Sequence, residues 1–255
     1  MSITEAAITE HETLFPDHVS TLAQTDPDLI EIFDNLAFDD VVLDAPLPRT
    51  TRLMVQCAAL IAGGSVAEYR AMAGAALNVG VTPIELKEVV YQAVPYAGMG
   101  RVFDVLHATN GLLIERGVQL PLPSQATTTR ENRQEVGRDV QERIVGTDRV
   151  AAMYDSSPPD LLHLQQYLSA HCFGDHVGRS GLDLATRELL TLAMLTALGG
   201  ADAQLAAHVS ANLNVGNDRA TLIAVVTHLL PFVGYPRTLN AINAINQNAP
   251  YEETT

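Results

Sequence analysis

Glu188 and His208 are spaced so that a carboxylate can meet an imidazole. Glu188 stands 11 positions before Gly199 and His208 stands 8 after Gly200. If that glycine pair folds one helix back on the next, a rise of about 1.5 Å per residue leaves the two side chains within roughly one turn of the same height. A carboxylate beside an imidazole fixes the ring's tautomer and favours its protonated form, which suits proton transfer near neutrality. The same residue types also occur as a Glu favoured by a helix N-terminus and a hydrogen-bonded core His, and spacing alone leaves both readings open. Other chemistries have weaker support. Cys57 and Cys172 form no CxxC pair, so a dithiol centre is absent and a disulfide framework is not expected. His163, His171 and His176 share one stretch but lack HxxxH or HExxH spacing, so no metal site is expected. There is no phosphate-cradling glycine loop and no nucleophile elbow.

These candidates sit within a duplication. Gly63-Gly64, Ala75, Leu77-Asn78-Val79-Gly80, Pro95, Gly98 and Arg101 recur as Gly199-Gly200, Ala211, Leu213-Asn214-Val215-Gly216, Pro231, Gly234 and Arg237. Every one of these pairs has the same separation along the chain, that of Gly63 from Gly199. A constant offset across turn residues requires two copies of one supersecondary unit. The units are placed at residues 1–118 and 134–255, joined by a Pro/Ser/Thr-rich linker at 119–133.

Each copy reads as helices. Apolar helices over Thr51–Ala62 and Leu184–Leu198 end at the glycine pairs. Helices over Glu68–Val79 and Gln204–Val215 end at Gly80 and Gly216. Thr82-Pro83-Ile84-Glu85 is a helix start, and Asn217 or Asp218 is its counterpart. Breaks are expected near Pro95 and Pro231, with a last helix after each. Helical lead-ins over Asp26–Phe38 and Gln134–Phe173 precede the units. The expected fold is all-α, with Val41–Leu43 ambiguous.

Hydrophobic residues make up 47% of the chain but aromatics only 5%, with no Trp, so the cores must be built from Ala, Leu and Val. The formal charge of −15 lacks the cationic footprint that nucleic acids or anionic membranes need. Residues Met1 to Asp28 are polar and acidic with no apolar signal core, and no apolar run is long enough to span a bilayer. A cytoplasmic protein is expected, with neither nucleic acid nor membrane as partner.

Leu182-Asp183-Leu184-Ala185-Thr186-Arg187-Glu188-Leu189, Gln204-Leu205-Ala206-Ala207-His208, Leu213-Asn214-Val215-Gly216 and Phe232-Val233-Gly234-Tyr235-Pro236 resemble the carboxymuconolactone decarboxylase family. Leu77-Asn78-Val79-Gly80-Val81-Thr82-Pro83 and Gln92-Ala93-Val94-Pro95-Tyr96-Ala97-Gly98 resemble it in the first copy. The resemblance implies the all-α fold shared with alkylhydroperoxidase D-like proteins, here in tandem. It also implies a homo-oligomer of interlocking protomers, with a trimer matching a six-unit ring. The family often keeps a Glu in the first helix of the unit and a His in the second. Glu188 and His208 match these in the second copy, whereas the first copy offers Arg52 and Met72. The implied chemistry is a lyase reaction without cofactor or metal, removing CO₂ from a small carboxylated lactone. His208 is the expected proton carrier, oriented by Glu188. Arg187 and Arg237 are candidates to hold a substrate carboxylate, and His107 and His228 to line the cleft. An isomerase, hydrolase or dehydratase acting on another small metabolite is the alternative, followed by a non-catalytic scaffold. A thiol peroxidase fits poorly, because Gly200-Ala201-Asp202-Ala203 stands where that branch carries its CxxC.

Overall fold

The computed structural model describes residues 2–16, 18 and 20–251. Met1, Asp17, Val19 and residues 252–255, which the sequence assigned to the two units, lie outside the described residues. Among the described residues the chain contains helices and no strand. A lead-in of α1 (Glu5–Leu14), α2 (Leu22–Thr25), α3 (Pro27–Asn35), a π-helical turn (Leu36–Asp40) and α4 (Val41–Asp44) comes first. Four helices follow: α5 (Arg49–Gly63), α6 (Val66–Asn78), α7 (Pro83–Ala97) and α8 (Met99–Glu115). The second half repeats the plan with α9 (Arg133–Val145), α10 (Thr147–Asp155), α11 (Leu162–Tyr167) and a π-helical segment (Leu168–Val177). It then closes with α12 (Leu184–Leu198), α13 (Asp202–Asn214), α14 (Arg219–Val233) and α15 (Tyr235–Asn248).

Local chemistry accounts for the helix starts. The Thr82 hydroxyl accepts from the Glu85 amide while the Glu85 carboxylate reaches back to the Thr82 amide, a complete capping box. Asp183 caps α12 and Asp218 caps α14. Asn217 instead turns inward and donates to the Ala185 carbonyl at 2.9 Å. The helix ends differ from the sequence reading. Pro95 and Pro231 do not break their helices, which run on to Ala97 and Val233. Each proline lies in the final turn, so it withholds one amide, from the Tyr91 or the Thr227 carbonyl, and leaves the preceding turns intact. The Tyr91 carbonyl, which Pro95 cannot serve, faces His176. The stops are Gly98 (φ +83°) and Gly234 (φ +77°), where the left-handed backbone suits glycine.

The equivalent helices α5 and α12 pack against each other at the centre of the molecule. Leu53 to Ala62 and Arg187 to Ala197 are buried without interruption, and small residues such as Ala58, Ala59, Ala193 and Ala197 permit the close approach. The lead-ins are more elaborate than two simple helices. Asn78 donates to the Leu14 carbonyl at the end of α1, and Asn214 donates to the Ile144 carbonyl near the end of α9. The same corner asparagine thus pins a lead-in helix in each unit, making α1 the counterpart of α9. Sequence reading missed α1 because it buries only Ala7, Glu10 and Leu14.

Gly137 lets α9 lie directly on the π-helical segment. A Cβ there would fall against the Ser169 carbonyl oxygen and 2.7 Å from the Gly174 nitrogen, both backbone atoms that cannot swing away. Gly137→Ala is expected to destabilise the protein by roughly 3 kcal/mol through overpacking, read from urea denaturation midpoints.

Candidate active site

His208 on α13 and Glu188 on α12 meet across the turn between their helices, with Nδ1 and Oε2 2.7 Å apart. An ionised carboxylate only accepts, so Nδ1 carries the proton and Nε2 is left as the free ring nitrogen. Glu188 is fully buried, while the His208 side chain retains 16% exposure. Asn212, one turn beyond His208, donates to the backbone carbonyls of both residues, locking the two helices in register. The remaining carboxylate oxygen, Glu188 Oε1, has no hydrogen-bond partner among the described residues.

The first unit completes this corner. Tyr96, at the end of α7, sets its ring edge-on to His208 with centroids 5.8 Å apart. Its buried hydroxyl approaches Thr191, Cys172 and Glu188 without completing a hydrogen bond. Burial holds the hydroxyl protonated far above the usual tyrosine range. Tyr96 and His208 both line a cavity of about 690 Å³, walled by α9, α10, α11 and the π-helical segment as well as α12 and α13. Its lining is largely apolar, with Leu164, Leu168, Leu195, Met153 and Phe173 among the walls. Its polar side chains are Gln141, Arg149, Tyr167, His171, Gln204 and Ser210 besides His208 and Tyr96. Arg149 is exposed and makes no ion pair among the described residues, so it is the fixed positive charge of the lining.

The equivalent corner of the first unit is closed. Arg52 stands at the Glu188 position and pairs with Glu10 of α1, which also takes a two-point contact from Arg49 at 3.0 and 2.7 Å. Met72, at the His208 position, is buried. Phe232, the counterpart of Tyr96, packs on Phe33 at 5.8 Å. Tyr96 and Phe232 thus both cross between the units, and among the described residues His208 lines the cavity at its corner while Arg52 and Met72 stay buried at theirs.

The carboxymuconolactone decarboxylase family model matches this chain twice, over residues 27–111 and 163–247, together about two-thirds of its length. The chain belongs to that family. A 4-carboxymuconolactone decarboxylase from Acinetobacter baylyi is 28% identical over 113 residues, which covers 44% of this chain and 84% of the relative. The two family matches fall one on each unit, so the protein is an all-α duplicated member of the family.

The other residues singled out in this family member lie elsewhere. Arg187 is fully buried next to Glu188 in sequence but points away from the cavity, into Glu88 (2.9 Å), Gln92 (3.0 Å) and the Arg179 carbonyl (2.9 Å). Arg237 is exposed, with its Nε near the Gly199 turn. His107 is exposed on α8 and stacks edge-on against Phe103 at 4.8 Å. His228 is buried in the first unit's closed corner, where its Nε2 meets the Ala45 carbonyl at 2.6 Å. None of these four lines the cavity that holds His208. Among the described residues no group of three or more His, Cys, Asp or Glu could hold a metal ion. No helix among them is long and apolar enough to cross a membrane.

Cys172 lines the cavity, but burial pushes its thiol up to about 12, so it stays protonated and poorly nucleophilic. Tyr96, Arg149, His171 and Cys172 were not marked as site residues by the sequence. For Tyr96 there was a signal: the copies differ there, with Phe232 at the matching position. For the residues of α9 to α11 there was none, since the first unit has no counterpart of matching length.

His228 and His176 are both depressed from 6.5 to about 4, primarily by burial. His228 faces Arg52, Glu10 and the Ala45 carbonyl, and His176 faces His171, Asp175, Arg179 and the Tyr91 carbonyl. The unfolded chain takes up protons at both rings from about pH 6.5 downward, while the folded chain resists until about pH 4. Stability is complete above pH 6.5 and falls as the pH approaches 4, by up to roughly 3 kcal/mol for His228. His228→Gln, which installs the residue found at the matching position of the first copy, is expected to flatten that acid limb in urea titrations at a series of pH values.

Proposed function

We propose that this chain is a cofactor-independent lyase that decarboxylates a carboxylated lactone or a closely related acid in the His208 cavity. The observation that carries the reading is the buried Glu188 holding Nδ1 of a cavity-lining His208 at 2.7 Å. Decarboxylation breaks the C–CO₂ bond, passes its electron pair into the conjugated carbonyl as an enolate, and requires a proton on carbon. His208, protonated at both nitrogens, donates the Nε2 proton to that carbon and is recharged from solvent, while Glu188 stabilises the imidazolium. Arg149 anchors a second anionic group of the substrate, the role for which Arg187 and Arg237 were candidates. The apolar walls keep water from the enolate and weaken solvation of the departing carboxylate.

We further propose that the chain assembles with copies of itself. Met99 and Phe103 of α8 are exposed, and so are Tyr235 and Leu239, their counterparts in α15 of the second unit. Two matching apolar faces suit a ring of pseudo-equivalent contacts.

The test is a CO₂-release assay on purified protein with carboxylated γ-lactones, 4-carboxymuconolactone first. CO₂ release without added metal or cofactor is the expected result. Consumption of lactone without CO₂ would move the chain to an enolising isomerase or a hydrolase using the same pair. Inertness toward the whole panel would remove the lyase reading.

A further inference from the structure

A second cavity, of about 540 Å³, lies on the other side of α7, between that helix, α8, the linker around 120–125 and Arg179. It shares no lining residue with the His208 cavity. Its charge is unusual for a chain of net −15. Lys87 and Arg179 both line it and both lie over one aromatic ring, Tyr91, at 5.6 and 5.1 Å from the centroid. The sole acid among the lining residues is Glu88, whose carboxylate is already shared. Arg179 Nε contacts both its oxygens at 2.9 and 3.0 Å, and Arg187 takes Oε2 at 2.9 Å. One carboxylate thus serves two guanidinium groups, and Lys87 adds a third positive charge.

These cations have unused hydrogen-bonding capacity. Arg179 is only 14% exposed, yet its two Nη groups make no hydrogen bond among the described residues. Lys87 is buried, and among the described residues its ammonium donates only to Asn110 Oδ1, leaving two of three protons for a ligand or solvent. Like charges held over one ring and mostly out of water are costly unless an anion sits between them. The opposite wall is apolar, built from Ile84, Leu120, Pro121 and Leu122. The linker that forms it is held in place, since the Gln125 carbonyl accepts from the Ser180 amide at 3.0 Å and Thr127 donates to the Gly178 carbonyl at 2.7 Å.

We propose that this pocket binds a small organic acid, its carboxylates on Lys87 and Arg179 and its apolar body against the linker. It is a ligand site separate from the proposed reaction centre, and it does not depend on which reaction that centre performs. A cavity of this size matches ordinary small-molecule sites, and the paired cationic heads favour a dicarboxylate over a monocarboxylate.

The experiment is calorimetric titration of the full-length protein with phthalate, benzoate and inorganic phosphate at low salt. Phthalate is expected to bind most tightly, benzoate more weakly, and phosphate, which lacks an apolar body, weakest. Lys87→Met is expected to weaken phthalate binding at least about tenfold, the worth of one charge-assisted hydrogen bond. Ser124→Trp fills the pocket from the linker without touching an ion pair, and it is expected to abolish binding while circular dichroism stays unchanged. Arg149→Met, in the other cavity, is expected to leave the affinity as it is. No heat with phthalate at about a thousand times a micromolar affinity would overturn the proposal. So would full binding in Ser124→Trp, or a loss that follows Arg149→Met, which would assign the ligand to the His208 cavity.

Discussion

His208→Gln is expected to lower turnover of a carboxylated lactone by about 10²–10⁴-fold, the usual worth of a positioned general acid or base. Gln is the informative replacement. Its amide can still donate to Glu188 Oε2, so the buried carboxylate keeps a partner and the helix pair α12–α13 keeps its register. Alanine would leave both Glu188 oxygens unpaired, because Oε1 already lacks a partner, and would confound activity with folding. Turnover should therefore collapse while thermal unfolding stays close to the parent. Glu188→Gln should act in the same direction, since an amide cannot stabilise the imidazolium. The assay is single-substrate CO₂ release, with unfolding followed in parallel. Unchanged rates in His208→Gln would take that imidazole out of the reaction and turn attention to the cavity's other polar groups, Tyr96, Arg149 and His171 first.

The largest effect on stability is expected at Glu88. Its carboxylate is nearly inaccessible and is the counter-ion of Arg187, which is wholly buried at the interface between the units, and of Arg179. Removing it as Glu88→Leu strands two guanidinium groups in a low-dielectric interior, at a cost of about 3–5 kcal/mol. Burial already pushes the Arg187 pKa down, and Glu88 is the main group opposing that shift. Arg187→Met is expected to be milder, because Glu88 retains Arg179. Denaturation midpoints check the order of the two variants. If Arg187→Met instead cost activity and little stability, its guanidinium would have to reach substrate by a rearrangement of this network.

Much of this protein is written locally. The constant offset between the copies reappears at both ends of α6/α13 and of α7/α14. Caps such as Thr82 and Asp218 act over three residues, and the left-handed glycines act over one, so a linear reading finds them. The Glu188–His208 approach was also legible, because only a turn of known kind separates the two helices. Pro95 misled for an equally local reason: proline usually ends a helix, but here it falls in the last turn of α7 and the stop is made at Gly98.

What sequence alone determined is the backbone plan: an all-α unit, its duplication, and one carboxylate–imidazole pair retained in the second copy. Tertiary structure decided which side chains share a cavity. Tyr96 reaches His208 from the far end of α7 by crossing between units, Arg187 turns into the interface next to Glu188 instead of into the cavity, and α1 places Glu10 on Arg52 to close the first unit's corner. Adjacent residues on a helix point about 100° apart, and the partner that claims each direction comes from a distant segment. Helix periodicity and capping cannot encode that choice, because it is made by the packing of α5 on α12.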